Sequence, residues 1–402
     1  MGENRMPNRW LVLACGAAIL ALCMGTRHSF GLFLQPISAA HGWGRDVFAF
    51  AIALQNLVWG VSQPFSGMIA DRFGAGRVVV TGAVLYVFGL VAMAFAQTPL
   101  ALALSAGVLV GLGLSGTTFS VILGVVGRVM PQASRSMAMG VCSAVASFGQ
   151  FAFLPSTFWF IGALGWASTL LVLSAIAALV IPLSAAMREA GDPSALAFSA
   201  ADDFREALAH RGFWLLCFGF FVCGFQIVFI GTHIPAFLVD RGLPLSTGTT
   251  VLALIGLFNI GGTYVAGWWG GQVRKPALLS GIYVARGMVI ALFLLFPVTK
   301  VSAYAFGIGM GLLWLSTVPL TNGTVASVFG VRSLSMLGGF VFLFHQVGAF
   351  LGGWLGGVIY DRRGSYDVVW MISIALSVFA AAINVPIREE PVARLRPAAA
   401  ST

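Results

Sequence analysis

Two stretches of this chain, Val78–Gly127 and Ser136–Met187, run for 50 and 52 residues without one charged side chain. A helix needs about 20 apolar residues to cross the hydrocarbon core of a bilayer and a barrel strand only about 10, so each stretch is two helices long. In lipid only helices and closed barrels satisfy their own backbone polar groups. With 59% of its 402 residues hydrophobic and 9% charged, the chain carries more apolar surface than a soluble core could hide. A soluble enzyme, a disordered scaffold and a disulfide-stapled secreted domain are excluded. The five cysteines lie inside apolar runs without metal-ligand spacing and read as buried free thiols.

Charges and breakers divide the sequence into twelve expected spans. Trp10–Leu34 is the first, too long for a cleaved signal peptide, and Val47–Ala70 the second. The two long stretches break at Gln97-Thr98-Pro99 and near Gly162–Gly165, giving spans 3 to 6. Residues 188–211 hold eight charges and form the long hydrophilic segment, with a surface helix expected at Asp202–Leu208. Gly212–Val239, Gly242–Val273, Pro276–Thr299, Val301–Val331, Ser333–Tyr360 and Val368–Ile387 complete the count. The expected class is an all-α membrane protein, with six-helix bundles at 1–187 and 212–402.

Orientation follows from Lys and Arg. With a cytoplasmic N-terminus, 15 of the 22 fall inside and five outside, leaving Arg27 and Arg286 within the membrane. Both termini are therefore expected in the cytoplasm. The net charge of +9 is an orientation signal and not a nucleic-acid footprint.

The halves echo one another, as internal repeats do in many transporters. Gly67-Met-Ile-Ala-Asp71-Arg72-Phe-Gly74-Ala-Gly-Arg77 leaves span 2, and Gly267-Trp-Trp-Gly-Gly271-Gln-Val-Arg274-Lys275 leaves span 8 at an offset of 200 residues. Arg135-Ser-Met-Ala-Met139 and Arg332-Ser-Leu-Ser-Met336, 197 apart, enter spans 5 and 11. The first segment resembles the loop signature of the major facilitator superfamily. That resemblance implies two bundles rocking about a central site, with Gly67, Asp71, Arg72, Gly74 and Arg77 in conformational gating. Asp71 is expected at the positive end of a neighbouring helix, a contact that in the family helps hold the outward-open state. Arg135-Ser-Met-Ala138-Met-Gly140 with Gly149, and Arg27-His28-Ser-Phe-Gly31-Leu-Phe33, resemble the monocarboxylate porter family. The acidic-aromatic motif that precedes span 1 in animal members is replaced by Pro7-Asn8-Arg9, and the family's span-8 Asp and Arg by Asn259 and Thr263.

Every acid falls at a helix end, in a loop or in a tail, so the interior offers Arg27 and Arg286 no carboxylate. An arginine at mid-bilayer costs about 2.5–3.5 kcal/mol and stays charged, so its neutralisation points to an anionic cargo. Pairing with carbonyl oxygens or snorkelling is the structural alternative. His28, His233 and His345 are the groups able to take a proton. One anion entering with one proton avoids the roughly 2.3 kcal/mol per charge per 100 mV that opposes an anion alone. Gln55, Asn56, Thr118, Gln150, Asn259, Thr321, Asn322 and Gln346 are neutral polar candidates for the substrate site, with Phe229 and Trp314 as possible cavity walls.

These features lead to an expected monomeric inner-membrane secondary transporter that needs no cofactor or metal. It would carry a small monocarboxylate such as lactate or pyruvate with a proton. An anion exchanger of the oxalate–formate type and a drug/proton antiporter stay open as alternatives. The antiporter would want an interior acid and a Gly-Pro-x-x-Gly-Gly element in span 5. An intramembrane enzyme is disfavoured because no nucleophile elbow, paired interior carboxylates or phosphate loop appears.

Overall fold

The computed structural model of the protein describes residues 8–43, 45–188 and 200–395, which among them contain no β-strand. The apolar runs become helices because each must close its own hydrogen bonds. In order they are α1 (Arg9–Phe33), α2 (Leu34–His41), α3 (Arg45–Phe73), α4 (Ala75–Ala94), α5 (Pro99–Val129), α6 (Gln132–Leu164) and α7 (Trp166–Met187). Then follow α8 (Ala200–Ala209), α9 (Arg211–Asp240), α10 (Leu245–Trp269), α11 (Lys275–Leu295), α12 (Lys300–Phe329), α13 (Leu334–Arg363) and α14 (Asp367–Asn384). Among the described residues, eleven helices are long and apolar enough to cross a membrane. The 29-residue α3 is not one of them, since Gln55, Asn56 and Gln63 dilute its hydropathy.

Local chemistry sets the boundaries. Gly74 separates α3 from α4 at φ +92°, a conformation costly for any residue with a Cβ. The Thr98 hydroxyl caps α5 by accepting the Ala101 N–H at 3.1 Å. Thr299 and Ser302 form a capping box at the start of α12. The surface helix α8 agrees with the expected pattern in its described part, while residues 189–199 of the hydrophilic segment lie outside the described residues.

Two helices are broken at related places. The backbone of α5 is extended at Thr118 (φ −115°, ψ −166°), and α12 is interrupted between Leu313 and Thr317. Thr118 and Leu315 are 197 residues apart, the same offset as the Arg135 and Arg332 motifs. Tyr86 and Tyr283 repeat the relation, donating their hydroxyls to the Cys23 carbonyl at 3.1 Å and the Gly219 carbonyl at 2.6 Å. The repeat in the sequence is therefore a repeat in the packing.

Helices before residue 188 pack mainly on one another, α1 on α6 and α4 on α5 and α7; those after 211 do likewise, α9 on α13 and α10 on α12. Two seams join the halves, α3 against α13 and α6 against α10. Both depend on close backbone approach. A Cβ at Gly67 would fall 2.2 Å from the Ser335 carbonyl oxygen, and one at Gly267 would fall 2.5 Å from the Cα of Gly140. Hydrogen bonds cross both seams partway along the helices, from Gln346 to the Asn56 carbonyl on one and from Asn259 to Ser147 on the other. Beyond that level, on the side away from Asp71, a Cβ at Gly31, Gly256 or Gly357 would meet nothing within 4 Å.

Candidate functional site

The intramembrane charge sits at the level where Gln346 crosses the seam to Asn56. Arg27, in the last turns of α1, is half-buried; its Nη2 donates to Asn56 Oδ1 at 2.9 Å and its guanidinium lies 5.9 Å from the Phe30 ring. The buried Nε has no partner, and among the described residues no carboxylate pairs with the group. One neutral amide oxygen faces a full positive charge. A guanidinium offers five donors in a planar fork, so this one keeps capacity for an anion. His28 stands beside it, half-buried, and Gln150 on α6 has a buried Oε1 without a partner.

Arg286 is placed differently. It is fully buried, donates from Nε and Nη2 to the Leu313 carbonyl at 3.1 and 2.6 Å, also reaches the Trp314 carbonyl, and meets Gln226 Oε1 at 3.4 Å. The break in α12 explains this. A helix end leaves its last carbonyls without N–H partners, and the guanidinium satisfies them. Arg286 was expected at the substrate site; the structure gives it the carbonyl pairing instead, within the second half.

Several neutral candidates are likewise taken up by packing. Gln55 is fully buried and donates to the Ala106 carbonyl at 2.7 Å, in a π-helical stretch of α5 whose wider turn leaves that oxygen free. Thr118 belongs to the α5 break, where Trp59 Nε1 reaches both Gln63 Oε1 and Thr118 Oγ1 and Gln63 Nε2 holds the Ser115 carbonyl. Asn259 performs the matching task in the second half: its Oδ1 accepts the Leu315 N–H at 2.9 Å while its Nδ2 donates to Ser147 Oγ at 2.8 Å. Thr321 and Asn322 are buried in α12, and Asn322 Nδ2 donates to the Val318 carbonyl. His233 bonds the Gly353 carbonyl through Nε2 at 2.9 Å, and Phe229 is core, 4.8 Å from the Trp370 ring. Asn56, bonded to Arg27 through its side chain, meets Gln346 through its main-chain carbonyl, and Gln346 meets His345. Gln346 Nε2 donates to the Asn56 carbonyl at 3.4 Å and its Oε1 meets His345 Nδ1 at 3.3 Å.

At the other end of the α3–α13 seam, Asp71 accepts the N–H groups of Ser335 and Met336 at 3.3 and 2.8 Å, in the first turn of α13. A carboxylate is favoured there by the exposed N–H groups and the helix dipole. Arg128 donates to the same carboxylate at 2.5 Å and reaches the Val331 carbonyl and Ser335 Oγ. Arg128 was not among the expected gating residues. Its signal was available: it is the first charge after the uncharged Val78–Gly127 run, and so lies at the same membrane face as Asp71. Arg72 and Arg77 are exposed, with Arg72 stacked 5.2 Å from the Phe73 ring, and neither joins this contact.

The N-terminus of α13 is held from a second side. Asp203 of α8 accepts from Arg332 Nε at 3.1 Å, from Arg332 Nη2 and from Ser333 Oγ, and Arg394 of the tail approaches to 3.4 Å. Arg394 also binds Glu206 at 2.5 Å, and Lys275 binds Glu389 at 2.5 Å, so linker and tail strap the same face. Burial pushes the Asp203 carboxyl up, but the hydrogen bonds from Arg332 and Ser333 and the charges of Arg394 and Arg332 outweigh it and leave it below the ordinary value. A depressed carboxyl stabilises the fold above its unfolded-state pKa and loses that contribution as pH falls through the folded-state value. We expect Asp203→Asn to speed amide exchange across α8 by roughly 10- to 100-fold, for about 1.5–3 kcal/mol per charged hydrogen-bond set. The wild type should match it only in acid, below the usual carboxylate range; equal exchange in both proteins at neutral pH would refute the clamp.

Comparison with known proteins agrees with this geometry. The family model of the Major Facilitator Superfamily matches residues 13–335. The chain is 27% identical over 390 residues to monocarboxylate transporter 11 of Homo sapiens, covering 91% of this chain and 80% of that protein. It is 24% identical to the MFS-type transporter YcxA of Bacillus subtilis (94% of both chains) and 24% to the probable sulfoacetate transporter SauU of Cupriavidus necator (93% and 92%). Its fold is that of the superfamily transporter FucP in the outward conformation, with TM-score 0.76 and 12% identity over 92% of this chain and 97% of the other. The relatives are transport proteins, not enzymes. With the family model covering most of its length, this multi-pass membrane chain belongs to the major facilitator superfamily of transporters.

Proposed function

We propose that the protein is a monomeric inner-membrane secondary transporter that moves a small organic monoanion, of the lactate or pyruvate type, together with a proton. The observation that carries this reading is the unsaturated charge of Arg27, which faces one amide oxygen and, among the described residues, no carboxylate, at the level where Gln346 crosses the seam to Asn56. A carboxylate fits that vacancy, and His28, Asn56, Gln150 and Gln346 are near enough in sequence and packing to complete its recognition. The names of the relatives, monocarboxylate and sulfoacetate transporters, support a small anion.

In this reading α3 is the twelfth span, bundles 1–187 and 212–402 rock about the Arg27 level, and the 188–211 linker and both termini are cytoplasmic. The Asp71 contact, with Gly67 and Gly74 shaping its backbone, closes the cytoplasmic side, so the state described is outward-facing. Arg286 acts as a brace for the broken α12 and not as a second anion site. A single available guanidinium favours a monoanion over a dianion such as oxalate, which separates symport from the exchanger alternative.

The test is uptake into liposomes containing the purified protein. Labelled two- to four-carbon monocarboxylates should enter, and faster under an inward proton gradient, while oxalate and lipophilic cations should not. Transport of the cations alone would overturn the anion reading.

A further inference from the structure

The breaks in α5 and α12 free main-chain polar groups inside the membrane, and such breaks survive in lipid only where neighbouring side chains meet those groups. At each break one of those side chains also touches the opposite half, and the two are counterparts. Trp59 of α3 donates its Nε1 to Thr118 Oγ1 at 3.1 Å, at the extended residue of α5. The same N–H reaches Gln63 Oε1 at 2.8 Å, and the Gln63 amide nitrogen holds the Ser115 carbonyl at 2.7 Å. Asn259 of α10 accepts the Leu315 N–H on Oδ1 at 2.9 Å, in the middle of the α12 break. Positions 59 and 259 are 200 residues apart, the offset of Gly67 and Gly267 on the same two helices. The break residues Thr118 and Leu315 keep the offset of 197.

Each of these residues also reaches across a seam. The Trp59 ring lies 4.8 Å from the Phe342 ring of α13, and Asn259 Nδ2 donates to Ser147 Oγ of α6 at 2.8 Å. Trp59, Phe342, Thr118, Asn259 and Ser147 are all buried. The chemistry differs between the halves while the placement repeats. An indole offers one N–H, spent on the break, and a flat apolar face, spent on the seam. A carboxamide offers an acceptor for the break and a donor for the seam. A break is the part of a helix that can absorb a change in backbone angles, as hinge residues do in domain motions. On its other side the α12 break is gripped by Arg286 through the Leu313 and Trp314 carbonyls, so the face that turns toward the seam depends on Asn259. On α3, Trp59 stands one helical turn from Asn56, the partner of Arg27.

We propose that Trp59 and Asn259 are positioning residues that couple the parting of the two seams to bending of α5 at Thr118 and of α12 at Leu315. The proposal goes beyond the cargo reading, since it needs two halves that move against each other and no particular substrate. With the seams closed, Phe342 holds the Trp59 ring where its N–H meets Thr118 and Gln63. Ser147 likewise holds the Asn259 amide where its oxygen meets the Leu315 N–H. When a seam parts at this level, the contact across it is lost and the side chain gains freedom. The break then loses a fixed partner, and its helix bends. The coupling is reciprocal, so a bend at either break also favours one state of its seam.

The test is hydrogen–deuterium exchange of the full-length protein in lipid nanodiscs, read on peptides covering 115–122 and 313–317. Phe342→Leu, which removes the ring across one seam, should speed exchange over 115–122 by roughly three- to tenfold, the worth of one hydrogen bond, and leave 313–317 as in wild type. Ser147→Ala, which cuts the bond across the other seam, should do the reverse. Trp59→Phe keeps an aromatic ring against Phe342 but removes the N–H, and should match Phe342→Leu over 115–122. The double variant should add little, because the two changes cut one linkage. A seam residue that only fills space would leave both breaks at wild-type exchange, and that result would overturn the proposal. Equal acceleration over both stretches in a seam variant, which reports general loosening, would do so too, as would full additivity in the double variant. No cargo enters the measurement, so its outcome and that of the liposome uptake are decided separately.

Discussion

Arg27→Gln is expected to lower carboxylate uptake at low substrate by roughly 30-fold or more, while leaving the thermal unfolding of the purified protein close to wild type. The magnitude follows from the 2–5 kcal/mol typically lost when one partner of a buried charged pair is truncated, where each 1.4 kcal/mol is tenfold. The unchanged stability follows from the little that the fold asks of this side chain, which makes one hydrogen bond to Asn56 and leaves a buried Nε unpartnered. Removing it relieves a charge that costs about 2.5–3.5 kcal/mol to insert. Arg286→Gln should divide the effects the other way. It would strand the carbonyls of Leu313 and Trp314 at the α12 break, so expression and unfolding temperature should fall. Kinetic measurements on whatever folds should show a largely preserved apparent affinity. Equal loss of uptake affinity in both variants, or a stable Arg286→Gln, would dissolve the distinction between anion site and brace.

The two arginines also show what a sequence can and cannot disclose. Both read alike as unpaired cations in apolar runs, because hydropathy and charge count sense only the absence of an acid. What separates them is a helix break that no single residue announces: Leu313 and Trp314 are ordinary span residues, and their carbonyls become acceptors only once α12 is interrupted. Gln55 and Asn259 were illegible in the same way, each hydrogen-bonded to the main chain of an irregular stretch of a neighbouring helix. The span boundaries were legible because Gly, Pro and charge act locally, and the Asp71 position was legible because its motif repeats at half the chain length. Gln346 could be named but not ranked, since its significance lies in a contact with the Asn56 carbonyl, 290 residues away.

Asp71→Asn should shift the resting protein toward the state open at the Asp71 face by roughly a hundredfold. The carboxylate serves three donors, the guanidinium of Arg128 and the N–H groups of Ser335 and Met336, and the amide can replace only part of that acceptance. Breaking a largely buried pair costs about 3–5 kcal/mol because the surviving charge is left uncompensated, here beside a helix end that already carries positive potential. Gln132 at the start of α6 and Gln272 beyond α10 are exposed on opposite halves at this face. Spin labels there should report a longer separation in Asp71→Asn than in wild type, and the same shift in Arg128→Gln. The double variant should add little, as expected for residues sharing one interaction. Exchanging the charges, Asp71→Arg with Arg128→Asp, distinguishes the roles further. A simple ion pair would be rescued, but a latch built on the α13 N-terminus would not, since an arginine in place of Asp71 confronts N–H groups that need an acceptor. Restored closure in the exchanged variant would mean that the helix end contributes nothing, and the gate would then reduce to one salt bridge.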